Sequence, residues 1–137
     1  MTTNIEISDM IEKLHIPKFR GVIMRDEFKK LGKPWETEYG IYNLEGSKED
    51  GSHWVMWAHR NEGEHRNKWY HFRSYGSDPC KEFIEYIDGP VMSSTFLTQD
   101  FNETICGELC VLVIYLLSED IDFEDAVLSL VDHSHVH

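Results

Sequence analysis

The most apolar stretch of the sequence, from Cys106 to Leu117, places the strongest constraint on the fold. Among its twelve residues, CGELCVLVIYLL, only Glu108 is charged. Such a run is typical of a buried strand or a buried helix. Its length and the polar approach over residues 102–104 favour a central helix buried on most sides. The more uniformly apolar part, Val111–Leu117, is far shorter than the roughly 20 residues that a bilayer requires.

Hydrophobic spacing predicts three further helices, over residues 6–14, over residues 79–87 and after residue 122. For the first helix, Ser8 or Asp9 is the candidate cap and Pro17 the stop. The second is predicted to begin at Pro79 and to end before Gly89-Pro90. The apolar residues that recur at helical spacing are Ile5, Ile7, Met10, Ile11 and Leu14 for the first helix, Phe83, Ile84 and Ile87 for the second, and Phe123, Ala126, Val127 and Leu130 for the helix capped by Asp122.

Aromatic and branched residues predict three strands, at Tyr39–Leu44, His53–His59 and Trp69–Arg73. Polar, glycine-containing stretches separate them and are typical of surface turns. A short strand is also predicted at Val91–Leu97, whereas Phe19–Asp26 has a mixed pattern and is predicted to be irregular. The sequence therefore predicts an α+β fold, with a small antiparallel sheet packed against the central helix, in one domain spanning residues 1–137.

The charge balance narrows the classes of partner. There are 13 basic and 25 acidic residues among 137, a net charge of −12. Such a surface repels phosphate backbones and anionic lipids, so neither nucleic acid nor a membrane is an expected partner. The three cysteines, Cys80, Cys106 and Cys110, are an odd number, and the chain opens without a basic and apolar leader pattern. We therefore expect an intracellular protein with free thiols.

The pair Cys106-Gly107 lies at the predicted start of the apolar helix. A thiol in this position feels the positive end of the helix dipole, which favours the nucleophilic thiolate. Gly107 has no Cβ, so a substrate backbone could approach closely. Cys110 lies one turn further on the same face. A small buried hydrophobe is the simpler interpretation of Cys110, and a Cys-x-x-x-Cys metal pair is the weaker alternative because zinc needs two further ligands.

Two polar residues could assist this thiol. Gln99 precedes Cys106 by seven residues, enough for its amide to return beside the thiol and hold an oxyanion together with the Cys106 N–H. His53 begins a predicted strand, and its imidazole could take the thiol proton. Taken alone, Gln99 is more often a surface residue and His53 an ordinary strand histidine.

Taken together, these residues resemble the adenovirus protease (adenain) family. The similar blocks are Gly51-Ser52-His53-Trp54-Val55, Trp69-Tyr70-His71-Phe72-Arg73-Ser74-Tyr75-Gly76, Gln99, and Cys106-Gly107-Glu108-Leu109-Cys110. The resemblance is closest to the adenain-like proteases of Polinton or Maverick elements and of virophages, whose N-terminal region is similar to Phe19-Arg20-Gly21-Val22, Arg25-Asp26-Glu27 and Gly40-Ile41-Tyr42-Asn43-Leu44. It extends from about Ile11 to Leu117.

The resemblance implies a cysteine endopeptidase with an adenain-like fold. It places Cys106 as nucleophile, His53 as general base and Gln99 at the oxyanion position, with Trp54 and Gly107 contacting substrate. Active members of the family resemble papain mirrored in chain order and cleave viral structural precursors, often after small residues. The implied partner is thus a protein substrate such as a capsid or core precursor. The adenovirus enzyme is activated by a peptide and by DNA, and nothing in this sequence supports either requirement.

One block departs from the family pattern, because Arg73 stands where the family carries an acid. A guanidinium offers donors only and cannot accept the second imidazole N–H. Directed at His53, it would lower the imidazole pKa by repulsion. Asp78 could fold back and replace the acid, and His71 is expected on the same strand face as Arg73. This departure keeps open a second class of function, an impaired homologue that binds proteins or a protease of ubiquitin-like proteins.

No metal or cofactor is expected. The C-terminal Asp132-His133-Ser134-His135-Val136-His137 could ligate a metal, but a frayed polar tail is the simpler interpretation. The acidic residues from Glu119 to Asp125 lack the spacing and glycine of an EF-hand loop and are typical of a solvated helix start.

Overall fold

The computed structural model describes residues 3–44, 53–73, 78–94 and 106–134, with backbone alone described beyond residue 130. These ranges contain four helices and five strands, together with one 3₁₀ helix. The elements in chain order are α1 (Asn4–Lys13), β1 (Phe19–Met24), the 3₁₀ helix (Arg25–Leu31), β2 (Thr37–Asn43), β3 (Trp54–Arg60), β4 (Lys68–Phe72), α2 (Lys81–Tyr86), β5 (Val91–Ser93), α3 (Cys106–Ser118) and α4 (Phe123–Ser134).

The five strands form one sheet whose spatial order, β1-β2-β3-β4-β5, is also their order in the chain. The three central strands are antiparallel, as predicted, and their register pairs Gly40 with Trp57 and Met56 with Phe72. Both edge strands are parallel to their neighbours. The sheet is therefore mixed rather than wholly antiparallel. The 3₁₀ helix between β1 and β2, and α2 between β4 and β5, each return the chain to the end of the sheet at which the preceding strand began.

Alternation along the central strands creates two apolar layers, one on each face of the sheet. In β3, Trp54, Met56 and Ala58 pack with residues of α1, α3 and α4, whereas Val55 and Trp57 pack on the other side with residues of the 3₁₀ helix and α2. Helix α3 lies directly against β3. The α+β class and the central buried helix are thus confirmed, and burial on several sides explains why α3 is apolar almost throughout.

The predictions for four segments need correction. Phe19–Met24 is a strand rather than irregular, and its pairing with β2 shifts register beside Gly21, whose φ of 135° few other residues adopt. Helix α1 is capped by Thr3 in a capping box with Glu6, not by Ser8 or Asp9. In α2, Phe83 is buried but Ile84 is exposed, so the helix offers a narrower apolar face than predicted. The strand predicted at residues 91–97 is assigned only at Val91–Ser93, and residues 95–97 lie outside the described ranges.

A buried carboxylate joins β1, β2, β3 and α2. The side chain of Glu38 is fully buried and accepts hydrogen bonds of 2.7 Å from the Trp35 backbone N–H, the Trp57 indole N–H and the Tyr86 hydroxyl. Arg20 lies 3.5 Å away as its counter-ion. The charge is therefore satisfied within the protein, as a buried carboxylate requires.

Candidate active site

Cys106 is the first residue of α3, and its thiol packs against the main chain of β3. The described helix runs from Cys106 to Ser118, so the cysteine occupies the end where backbone N–H groups and the helix dipole favour negative charge. Its side chain is only 3% exposed. A nucleophile that substrate reaches directly is partly exposed, whereas this thiol is buried against the backbone of Trp54.

One peptide unit brings His53 close to this thiol. The backbone N–H of Trp54 donates to Cys106 Sγ at 3.3 Å. That nitrogen belongs to the peptide bond following His53, so the α-carbon of His53 lies no more than about 6 Å from the sulfur. The imidazole is thus attached within side-chain reach of the thiol. A hydrogen bond donated to sulfur also favours the thiolate over the thiol.

The second cysteine of α3 contacts the same residue of β3. Cys110 is fully buried, and its thiol donates to the carbonyl oxygen of Trp54 at 3.4 Å. Burial raises the pKa of Cys110 well above its ordinary value, and the neighbouring Cys106 and Glu108 raise it further. Cys110 is therefore a small buried residue, as predicted, but one that also makes a directed hydrogen bond.

The backbone carbonyl of His53 is hydrogen-bonded to Leu44, which is in turn bonded to Arg25. The Leu44 N–H donates to the His53 carbonyl oxygen at 2.9 Å, and Arg25 donates to the Leu44 carbonyl oxygen at 3.2 Å. Arg25 also binds Glu82 of α2, with 2.7 Å between Nη2 and Oε1. This bond raises the pKa of Arg25 and lowers that of Glu82, so both partners favour the ion pair. A chain of contacts consequently connects α2 to the strand end that carries His53.

Arg73 occupies a position close to His53 on the sheet. The β3–β4 register pairs Met56 with Phe72, so one further step places Arg73 opposite Val55. Because side chains alternate, Val55, His53 and Arg73 share a face of the sheet. His53 precedes the first residue of β3 and Arg73 follows the last residue of β4, so in this antiparallel pair the two residues lie at the same end.

His71 is on the same face as Arg73 and belongs to a buried polar cluster. Its Nε2 lies 2.7 Å from the Tyr42 hydroxyl, and the side chain is 1% exposed. Desolvation, together with a smaller effect of the positive charge of Arg73, lowers the pKa of His71 to about 3. His71 is thus a neutral imidazole, and the positive charge of Arg73 is felt on this face.

The remaining predicted site residues have varied positions. Asp78 is described and exposed, which is not the environment of a buried orienting acid. The Trp54 indole is 2% exposed and Gly107 is also buried, so their contact with substrate stays a prediction. Gln99 lies outside the described residues. Within the described ranges, no group of three or more His, Cys, Asp or Glu side chains is arranged to hold a metal ion.

A comparison with solved structures found a similar fold. The crystal structure of the ASFV pS273R protease matches 91% of this chain with a TM-score of 0.63 and 18% sequence identity. The fold is similar to that of a viral protease. This chain covers 60% of the length of the ASFV protease. No family model and no curated protein matches the sequence.

The similarity to the ASFV protease concerns the fold alone. Two features of the candidate site, the Cys110 thiol bonded to Trp54 and the bridge from Arg25 to Leu44, were not predicted. The only sequence signals for them were the Cys-x-x-x-Cys spacing and the Arg25-Asp26-Glu27 block.

None of the helices in the described ranges has the length and apolar character needed to cross a membrane.

Proposed function

We propose that this chain is a cysteine endopeptidase in which Cys106 is the nucleophile and His53 the general base. The observation that carries the proposal is the 3.3 Å hydrogen bond from the Trp54 N–H to Cys106 Sγ. It connects the thiol at the start of α3 to the peptide unit of the only histidine that the resemblance assigns to catalysis. The similarity of the fold to a protease supports the same reaction class.

In the proposed reaction, the Cys106 sulfur attacks the carbonyl carbon of a substrate peptide bond, and His53 holds the thiol proton. The oxygen of the tetrahedral intermediate is stabilised by the Cys106 N–H and the Gln99 side-chain amide. Collapse breaks the C–N bond, and the leaving amine takes the proton from His53. Water then hydrolyses the thioester, releasing the acid product and restoring the thiol.

The finer assignment rests on the sequence resemblance. We propose an enzyme of the adenovirus, Polinton or virophage type that processes capsid or core precursors inside the host cell or the virion. Its substrate is a protein, and it requires no metal or cofactor.

A second candidate function is favoured by Arg73. A guanidinium at the position where the family has an acid offers the imidazole of His53 no acceptor there, and its positive charge destabilises the imidazolium. An impaired homologue that binds proteins would tolerate this change. A protease of ubiquitin-like proteins is the other form of this alternative.

The proposal is tested by alkylating the folded protein with iodoacetamide between pH 5 and 9 and following the Cys106 peptide by mass spectrometry. A free thiol has a pKa of about 8.5, so rapid reaction below about pH 7 indicates an activated thiolate. Cys80, which is buried on the opposite face of the sheet, is the internal reference thiol in the same sample. The companion assay measures cleavage of a protein-derived peptide library, with Cys106→Ser as the control that should abolish it.

Arg73→Asp separates the two candidate functions. If native Cys106 reacts rapidly and cleavage depends on it, the endopeptidase assignment holds with Arg73 in place. If native Cys106 reacts as an ordinary thiol and only Arg73→Asp becomes reactive, the site is disabled at one position and protein binding is the better assignment. Ordinary reactivity in both proteins, without cleavage, contradicts the endopeptidase assignment.

A further inference from the structure

The two thiols of α3 hold the main chain of one residue between them. Cys106 Sγ accepts from the Trp54 N–H at 3.3 Å, and the Cys110 thiol donates to the Trp54 carbonyl oxygen at 3.4 Å. The cysteines are four residues apart, so they lie on one face of the helix, about one turn from each other. Both polar groups of the Trp54 backbone are thereby bonded to the same helix.

The environments of the two sulfurs fit opposite roles. Cys110 is fully buried, and its burial together with Cys106 and Glu108 raises its pKa, so it remains a thiol able to donate. The Cys106 sulfur is the acceptor and lies at the N-terminal end of α3, where negative charge is favoured. A neutral donor thus stands one turn behind the proposed nucleophile.

We propose that Cys110 is a positioning residue for Cys106: by bonding the Trp54 carbonyl oxygen, it holds α3 in place along β3 and so keeps the nucleophilic sulfur at the Trp54 N–H. This inference rests on the proposed function of Cys106. Two hydrogen bonds about one helical turn apart fix where α3 lies along β3, so the sulfur cannot move away from the Trp54 N–H. The N–H then stabilises the thiolate that attacks substrate.

A purely space-filling role for Cys110 predicts something different. An apolar residue of similar size would fill the same volume, but it would leave the Trp54 carbonyl without the thiol donor in a buried position. Helix α3 would then lose its thiol bond to the Trp54 carbonyl and could shift along β3, which moves the Cys106 sulfur away from the Trp54 N–H. Packing and positioning are therefore separable by substitutions that differ in the donor and not in size.

The experiment compares Cys110→Ala, which removes the donor, with Cys110→Ser, which keeps a hydroxyl donor of similar size. The readout is the rate at which iodoacetamide modifies Cys106 from pH 5 to pH 9. We expect the profile of Cys110→Ala to move to higher pH by about one unit, which lowers the rate at pH 6 about tenfold. Cys110→Ser should recover much of the native rate, and Cys80→Ala, on the opposite face of the sheet, should leave the profile unchanged.

A second measurement does not depend on the nucleophile. Hydrogen exchange of the Trp54 amide should be at least about tenfold faster in Cys110→Ala than in the native protein, with thermal unfolding recorded for every variant. If Cys110→Ala does not fold, the comparison of the native protein with Cys110→Ser decides. In that case, a Cys110→Ser variant that preserves neither the Cys106 profile nor Trp54 amide protection overturns the inference.

The outcomes distinguish this inference from the proposed function. An activated native Cys106 whose profile is the same in Cys110→Ala overturns the positioning role and leaves the endopeptidase assignment intact. Equal shifts in Cys110→Ala and Cys110→Ser that track their loss of thermal stability also overturn it, because packing alone would then explain them. A native Cys106 that reacts as an ordinary thiol ends both proposals.

Discussion

At the scale of single residues, two buried polar side chains away from Cys106, those of His71 and Glu38, should affect the stability of the fold. His71 is an imidazole enclosed between β2, β4 and α2, with Tyr42 as its hydrogen-bond partner and Phe83 against its ring. Burying an imidazole favours its neutral form, and Arg73 adds to that effect. The acid sensitivity of the folded state should therefore depend on this residue.

We expect His71→Gln to reduce the loss of stability between pH 7.5 and pH 5. The folded-state pKa of His71, about 3, lies below its ordinary value of 6.5, so protons bind the unfolded chain first as the pH falls. Its contribution to stability is complete above about pH 6.5 and is lost as the pH falls toward 3. At pH 5 the loss is about 2 kcal/mol. Urea unfolding at both pH values measures the difference. His15→Gln, at an exposed position, is the control, and an equal pH dependence in native protein and His71→Gln would contradict the argument.

Glu38→Gln should cost about 3–5 kcal/mol of unfolding free energy, the range for breaking one side of a buried ion pair. The amide nitrogen of Gln would face the Trp57 indole N–H or the Tyr86 hydroxyl, replacing an acceptor by a donor. Arg20 would also lose its buried counter-ion. Chemical denaturation gives the value, and Glu36→Gln, at an exposed position two residues earlier, should change it by less than about 0.5 kcal/mol. A loss of that small size for Glu38→Gln would show that the network is not needed for stability.

At the scale of elements, the contact between α2 and the end of β2 determines how firmly the His53 strand is held. Arg25 bridges Glu82 to the Leu44 carbonyl, and Leu44 pairs with His53 through the backbone. Both charged side chains are 31% exposed, so solvent screens part of their attraction. We therefore expect the bridge to contribute more to the position of the strand end at His53 than to the free energy of unfolding.

Glu82→Gln should lower the free energy of unfolding by only about 1 kcal/mol at pH 7. The pKa of Glu82 is lowered by Arg25, so its contribution is present above the ordinary value of 4.5 and is lost as the pH falls below it. The difference in stability between the native protein and Glu82→Gln should thus be smaller at pH 3 than at pH 7. Denaturant titrations at pH 7 and pH 3 measure this. Glu85→Gln, whose partner Lys81 is 3.9 Å away and largely exposed, should show a smaller difference at pH 7.

The elements also show what the sequence could and could not predict. The central strands and α3 follow from local patterns, aromatic and branched residues in the strands and an apolar run in the helix. The pattern of β1 is interrupted by Arg20 and Gly21, and its parallel pairing with β2 depends on how the 3₁₀ helix returns the chain, which no local pattern encodes. The bond between Cys110 and Trp54 depends on where a helix meets a strand 56 residues away in sequence. Residue type suggested the nucleophile, whereas the contacts that surround it are tertiary.

At the scale of the whole molecule, the net charge of −12 determines how the protein meets other macromolecules. We expect no binding of a fluorescent 30-base-pair DNA duplex at about 10 μM protein in 50 mM salt, because a surface of the same sign as the phosphates releases no counter-ions. Fluorescence anisotropy measures it, with a basic DNA-binding protein as the positive control. A rise in anisotropy that disappears at 200 mM salt would contradict the expectation and would reveal a local basic surface.

The order of the elements also has a consequence for synthesis on the ribosome. All five strands are made before α3, in the order in which they lie in the sheet, and α3 follows β5 in the chain. The strand that carries His53 can therefore form while Cys106 is still inside the exit tunnel. Until α3 emerges, the Trp54 backbone lacks both of its sulfur partners. A nascent chain thus has no proposed nucleophile beside His53, and the proposed activity can appear only after α3 has left the tunnel.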